Sequence, residues 1–597
     1  MKTLERRKPY KSASPKETIN KIRNILYDAG LFTIESQNLF DADFHSCRIV
    51  LDSNALSPLG IGTNGKGMSR EYSLASGYAE FLERVQNNAL LNLQNFQATK
   101  RFIEKENING AFLKKLKDED LIQEFRYAPD EKYLSVDQCV NENLNFFEKL
   151  FSMKSKSEII SFITNNLKTD ELETIPFYHV NENCLAELPI RLIQLACGTN
   201  GMCSGNNKTE AILQGLSELF ERYAICEIYL KELSLPTIPL DYFEGNNIYD
   251  RIKKLESENK FTFIIKDCSL GIGLPVLGAL IIDHHEQKYT MHLGADPNPV
   301  TALERCFTEV YQGGKESRFK KLHYMSDDIF NYLAKNNDKS RTWNKMNQLI
   351  KTIKDGTGIW PDSIFSNNFS YTFSGFENPV SESDEADLEY LLKIMNRNDF
   401  QLYIRDQSYL GFDSLFIYSP EISNIFNVEN NNAIERGFQF KKNFRVLANL
   451  NMADEKEIKE IANLIEKEYN SPSYSEKNIR SYFLANFNFK LVDLTPEIFL
   501  VMLYYRVNDY QKAYTYLTKH LDNFKNDNSL NYTYLYAIAE FLKMKIKKLN
   551  DEIIFERLKE LYTEKMARQV MLDMENPNEI FKYHKLPTCY DCENCQI

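Results

Sequence analysis

The chain has 597 residues, 43% of them hydrophobic, enough for a large core and for two or more domains. Its formal charge is −12 and no long Lys/Arg run offsets it, which speaks against a dedicated nucleic-acid binder. The longest apolar run (Leu274–Ile282) falls far short of a bilayer span, no apolar segment follows the basic start, and the eleven cysteines are odd in number and mostly scattered. The expectation is a cytoplasmic protein with no membrane segment and no disulfide framework.

In chain order, Ser14–Leu31 reads as an opening helix, with Ser14 as cap, Pro15 in the first turn and Glu17 at capping-box spacing. Ser46–Asp52 reads as a strand. "TNGKG" (Thr63–Gly67) reads as a glycine loop, and a long amphipathic helix with Leu74, Phe81, Leu82 and Val85 on its apolar side follows it. Leu188–Cys197 reads as a second strand, "TNGMCSG" (Thr199–Gly205) as a second loop, and "KTEAILQGLSELFERYAICEIYL" as a second helix. A strand, glycine turn and strand come next, and "YTMHLGADPNPVTALERCFTEVYQGG" gives strand, loop and helix a third time. The body is therefore α/β or α+β, built from recurring strand–loop–helix units. After about Ala453 the chain turns to helix after helix. There Thr495–Phe524 is similar to one tetratricopeptide unit, with Ala513 where a second helix approaches closely. Asn470–Asn478 reads as a loop.

The first two helices repeat one phrase, "AEFLERV" from Ala79 and "SELFERY" from Ser217, 138 positions apart. Residues three apart share a helix face, so Glu80 pairs with Glu83 and Glu218 with Glu221, while Phe81–Leu82 and Leu219–Phe220 point into the core. A lone pair of this kind is usually a solvated face, helped here by Arg84 and Arg222. Twice in one chain, behind matching glycine segments, it points instead to hard oxygen ligands for magnesium held with a phosphate-bearing substrate. The third helix adds Glu304, Arg305 and Glu309. Arg305 shares a face with Glu309 and can grip phosphate in bidentate fashion, or form a surface ion pair. "GIGTNGKG" (Gly60–Gly67) nearly spells a P-loop, but Gly67 stands where the magnesium-binding Ser or Thr belongs. Its backbone N–H groups remain candidates for a phosphate cradle.

Taken together, these residues resemble the YcaO family, which binds ATP without a Walker motif. The resemblance runs from about Lys11 to about Leu561 and rests on Ser76, Glu80, Glu83 and Arg84, then Asn206, Glu210, Glu218, Glu221 and Arg222, then Arg305 and Glu309. It implies a YcaO-type fold over 1–450 and a helical tetratricopeptide-like domain over 451–580, and the residues themselves mark a Cys-rich tail over 581–597. It further implies Glu80, Glu83, Glu218 and Glu221 as magnesium ligands. Lys11, Thr18, Ser76, Glu83, Asn206, Glu210, Arg222, Arg305 and Glu309 are then the nucleotide contacts. The two repeats would face each other and share one ATP–magnesium cluster. The activity implied is ATP-dependent activation of a backbone amide, with positioning and charge neutralisation as the protein's task. No residue is singled out as a general acid or base. Family members that form azolines often end in a proline-rich tail, whereas this chain ends "HKLPTCYDCENCQI" with one proline. One long member that the chain resembles is linked to RimO, the radical enzyme that methylthiolates an aspartate in a small-subunit ribosomal protein. The implied partner is a protein substrate or such a methylthiotransferase, with a homodimer as a further expectation.

Two rivals stay open: a non-catalytic scaffold in which nucleotide controls partner binding, and a thioamide-forming enzyme. The tail is a separate question. His584, Cys589, Cys592 and Cys595 could close a zinc site, the thiolates could hold an iron–sulfur cluster, or the thiols could be inert.

Overall fold

The computed structural model describes residues 4–9, 11–40, 43–52, 62–87, 89, 128, 130–153, 155–167, 169–257, 261–283, 285, 288–312, 323–324, 338–425, 453–470, 495–523 and 532–575. These fall into two compact units, one up to residue 425 and the other from residue 453.

Three antiparallel sheets and the helices that follow their strands organise the first unit. Thr33–Leu39, His45–Leu51 and Gly62–Gly67 form a three-stranded sheet. Helix Arg70–Gln86 folds back onto its last strand, with Phe81 and Leu82 buried. A six-stranded sheet runs Lys132–Ser135, Glu171–His179, Tyr403–Asp406, Asp413–Tyr418, Met202–Gly205, with Cys184–Pro189 paired to Glu171–His179. Its strand Met202–Gly205 leads into helix Lys208–Lys231, which packs on it through the fully buried Leu219 and Phe220. The third sheet runs His323–Tyr324, Lys288–Ala295, Val276–Asp283, Phe261–Asp267, Thr237–Ile238, and helix Pro299–Tyr311 packs on Lys288–Ala295. The strand-then-helix order thus occurs three times. The opening helix, Pro15–Asp28, begins at the expected capping box: Ser14 N–H donates to Glu17 Oε2 at 2.9 Å and Glu17 N–H to Ser14 Oγ at 3.4 Å.

Two expectations are corrected. The first glycine segment is not a loop, and the second is a turn only as far as Gly201. "TNGKG" lies within strand Gly62–Gly67 and "MCSG" is strand Met202–Gly205. Gly65 and Gly205 serve close approach to the helix behind them. A Cβ on Gly65 would stand 2.0 Å from the Ser73 carbonyl oxygen, and one on Gly205 2.6 Å from Ala211 N. The N–H groups of Gly62–Gly67 belong to a pleated strand, not to a phosphate-cradling turn. Leu188–Cys197 is the other correction: Leu188–Pro189 end a strand, and Ile190–Cys197 is a helix. Its buried Ile190, Ile193, Ala196 and Cys197 recur every three or four residues, and Gly198 at φ +63° ends it. Arg191 and Gln194, three apart on the less buried side, fit that helical spacing, but eight residues are little more than two turns and give the period little weight.

The second unit is all helical among its described residues: Glu455–Tyr469, Pro496–Arg506, Tyr510–Asn523, Tyr532–Ile546, Asp551–Leu561 and Glu564–Glu575. Thr495 caps the second of these, and Ala513 is completely buried in the core that Pro496–Arg506 and Tyr510–Asn523 share. The loop after Asn470 and the tail with His584, Cys589, Cys592 and Cys595 lie outside the described residues. No helix among the described residues is long and apolar enough to cross a membrane.

Candidate functional site

The three unit helices begin alike, capped by Ser69, Asn207 and Asn298, each accepting from a backbone N–H of its own first turn. Counting from those caps brings the units into register. Eleven residues on stand Glu80, Glu218 and Glu309; fourteen on stand Glu83, Glu221 and Gln312; seven on stand Ser76, Gln214 and Arg305. All nine side chains line one cleft of about 390 Å³, a volume in the range of small-molecule sites. Lys11, Thr18, Asn206, Glu210 and Arg222 line it too, so the cleft gathers the whole set singled out along the first 309 residues.

Its acidic centre is the doubled pair. Arg84 reaches Glu83 at 3.1 Å and Glu80 at 3.7 Å, while Arg222 lies 4.0 Å from both Glu218 and Glu221. Four carboxylates face two guanidiniums. Glu83 is only 6% exposed, and burial, with Glu218 and Glu80 nearby, holds its carboxyl well above the ordinary range. Burial likewise raises Glu221, against the pull of Arg222 and Lys66. A partly buried surplus of hard oxygen donors is the chemistry that a divalent cation such as magnesium answers.

A polar wall stands at one end. Glu210 accepts from Ser12 Oγ at 2.8 Å and from Asn206 Nδ2 at 3.2 Å, and Lys11 Nζ lies 3.2 Å from it. Burial alone would raise Glu210, but these partners outweigh it and hold the carboxyl below the ordinary range. Thr18 Oγ1 donates to Asn206 Oδ1 at 2.7 Å, which ties the opening helix to the second unit helix. Arg305 Nη2 donates to Gln214 Oε1 at 2.7 Å and lies 3.3 Å from Asp296. It therefore joins Gln214 and Asp296 rather than forming the ion pair with Glu309 that their spacing allows.

Glu309 is held instead by Lys66, the residue that sequence reasoning passed over with the incomplete P-loop match. Lys66 lines the cleft, and burial pushes its ammonium down to about 8. Its signal lay in strand alternation, since Lys66 projects from the face opposite Gly65 and Gly67. Gln214 and Gln312 were missed as well; the shared N-cap register would have found both.

The family model described as YcaO cyclodehydratase, ATP- and Mg2+-binding, matches residues 64–423. The ribosomal protein S12 methylthiotransferase accessory factor YcaO of Escherichia coli is 27% identical over 375 residues, 62% of this chain and 58% of that protein. An uncharacterized protein of Haemophilus influenzae is 26% identical over 373 residues, 61% and 57% of the two chains. The alignment thus spans less than two thirds of either relative. Among solved structures, a heterocyclase in complex with substrate and cofactor is similar at 18% identity and TM-score 0.45, over 72% of this chain and 55% of that one. The YcaO of Methanopyrus kandleri bound with AMPPCP and Mg2+ is similar at 16% identity and TM-score 0.42, over 69% and 92%.

Proposed function

From the premise that the chain belongs to the YcaO family, we propose that its cleft takes ATP with magnesium and uses it to activate a backbone amide in a protein substrate. One observation carries this: Glu80–Glu83 and Glu218–Glu221 stand at the same helical register in two units and line one cleft with Arg84 and Arg222 between them. Those four carboxylates would hold the metal. Magnesium supplies charge neutralisation and fixes the orientation of the phosphates. Arg222 and Arg305 offer guanidiniums to phosphate oxygens, the latter braced by Gln214 and Asp296. Lys11, Thr18, Asn206 and Glu210 form the wall against which the rest of the nucleotide lies. Within this frame the amide oxygen attacks the terminal phosphorus and the bond to ADP breaks. The activated carbon is then open to a nucleophile, and phosphate departs. The chain's own residues orient the two reactants and exclude water.

The Escherichia coli relative is named as an accessory factor of a ribosomal protein S12 methylthiotransferase. By analogy, this chain assists sulfur modification of a protein alongside a radical methylthiotransferase. The test is ATP turnover by the full chain with and without candidate protein substrates, joined to mass spectrometry of cells that have or lack the protein. Substrate-stimulated release of ADP and a lost sulfur-containing mass shift are expected. ATP binding with no turnover under any substrate would instead favour a nucleotide-controlled scaffold, which the helices described in the second unit suit.

A further inference from the structure

Away from the cleft, one turn brings three different metal-ligating side chains together. Strands Glu171–His179 and Cys184–Pro189 form a hairpin in which His179 and Cys184 are the last register pair. Val180, Asn181, Glu182 and Asn183 make the connection, with Asn183 in the left-handed region at φ +52°. One ligand atom each from His179, Glu182 and Cys184 lies within 4.8 Å of the other two. His179 Nδ1 and a Glu182 carboxylate oxygen lie 3.6 Å apart.

We propose that His179, Glu182 and Cys184 form a zinc-class transition-metal site with an open fourth position. Three features go beyond chance proximity. First, the donor set is mixed: one imidazole, one thiolate and one carboxylate suit zinc, whereas magnesium would be served by oxygens alone. Second, the imidazole is oriented. His179 is 4% exposed, its ring stacks on Tyr403 at 4.3 Å, and its Nε2 lies 2.6 Å from Gln401 Oε1. A carbonyl oxygen only accepts, so Nε2 carries the proton and Nδ1 presents its lone pair toward Glu182 and Cys184. A bond of this kind on the far nitrogen is the usual support of a metal-binding histidine. Third, the turn is anchored. Val180 N–H donates to Leu402 O and Leu402 N–H to Asn181 Oδ1, both at 2.9 Å, so the strand that supplies Tyr403 fixes the loop that supplies Glu182. Three protein ligands leave one position for water or an incoming ligand, as in open zinc sites.

Cys184 is exposed and reports directly on its own ligation. The full-length protein, its cleft saturated with Mg-ATP, is alkylated with iodoacetamide with and without zinc chloride, and the rate at Cys184 is read by peptide mass spectrometry. A peptide-resolved readout separates this site from the cysteines of the C-terminal tail. Zinc should slow alkylation of Cys184 by about tenfold or more, because the thiolate is both nucleophile and ligand. His179→Gln and, on the exposed turn, Glu182→Gln should each remove most of that protection. Gln401→Leu should weaken zinc binding by about tenfold through the lost hydrogen bond. An alkylation rate at Cys184 unchanged by zinc would overturn the site. So would equal protection in the wild type, His179→Gln and Glu182→Gln, which would reduce it to a lone thiol.

Discussion

Gly65→Ala perturbs the contact on which the first half of the cleft rests. A Cβ at Gly65 would stand 2.0 Å from Ser73 O, 2.5 Å from Gly77 N and 2.7 Å from Cys47 Sγ. Cβ contacts under 3.0 Å essentially never occur, and the nearest two atoms are backbone, so helix Arg70–Gln86 must retreat by about 1 Å. Overpacking of this kind costs about 1–3 kcal/mol. Glu80 and Glu83 ride on the same helix, and magnesium tolerates little departure from octahedral oxygen distances, so a displacement of about 1 Å breaks their alignment with Glu218 and Glu221. The expected result is a lower melting temperature together with Mg-dependent ATP affinity reduced by about tenfold or more. Scanning calorimetry and isothermal titration on the same preparation read both quantities. A variant with unchanged stability would refute the close strand–helix contact. A destabilised variant with intact ATP affinity would show that this contact does not position the glutamates.

Arg305→Lys should weaken nucleotide binding markedly, since lysine keeps the charge but loses the planar fork that reaches Gln214 and a phosphate together; titration calorimetry with Mg-ATP checks it. Metal-free protein should lose stability as pH rises from about 4.5, the ordinary glutamate value. Buried Glu83 and Glu221 keep their protons above it, so the folded state binds more protons than the unfolded one, and the effect is lost only once pH has passed their raised folded values. Magnesium, which requires the ionised carboxylates, should flatten that slope in melting curves taken with and without chelator. Lys66→Met should destabilise the metal-free protein by about 1 kcal/mol, because Glu309 loses the cation that faces it, and a melting shift of zero would return Lys66 to the bland role of a surface lysine.

Legibility from sequence followed the physics of each feature. Helix starts were readable because capping is local: Ser14 and Glu17 sit three residues apart and bond each other as their types require. The paired glutamates were readable because a repeat doubles a weak signal, and the 3.6-residue period separates Glu80 and Glu83 from the buried Phe81 and Leu82 between them. The glycines misled because a tight turn and a close strand–helix crossing demand the same missing Cβ, and only the tertiary contact of Gly65 with Ser73 tells them apart. Leu188–Cys197 misled because its helix of eight residues is little more than two turns, too short for Arg191 and Gln194 to establish a period. Lys66 and Gln312 escaped because the partners that give them meaning are distant in sequence: Glu309 lies 243 residues from Lys66, and Gln312 donates to Asn64 O across the cleft units. The hairpin trio at His179 escaped for a different reason, since His-x2-Glu-x-Cys has no common ligand spacing and converges only once the strands pair.

The central claim is that two repeats share one metal-dependent nucleotide site, and calorimetric titration of ATP into the full chain tests it most directly. It is run with magnesium, with chelator, and with magnesium on Glu218→Gln and Glu80→Gln. Each substitution keeps size and removes one charge that the metal requires, so both variants should fold and neither should bind ATP measurably. The account predicts saturable binding of one ATP per chain in the wild type with magnesium and none with chelator. ATP affinity indifferent to magnesium, or unchanged in both variants, would contradict it.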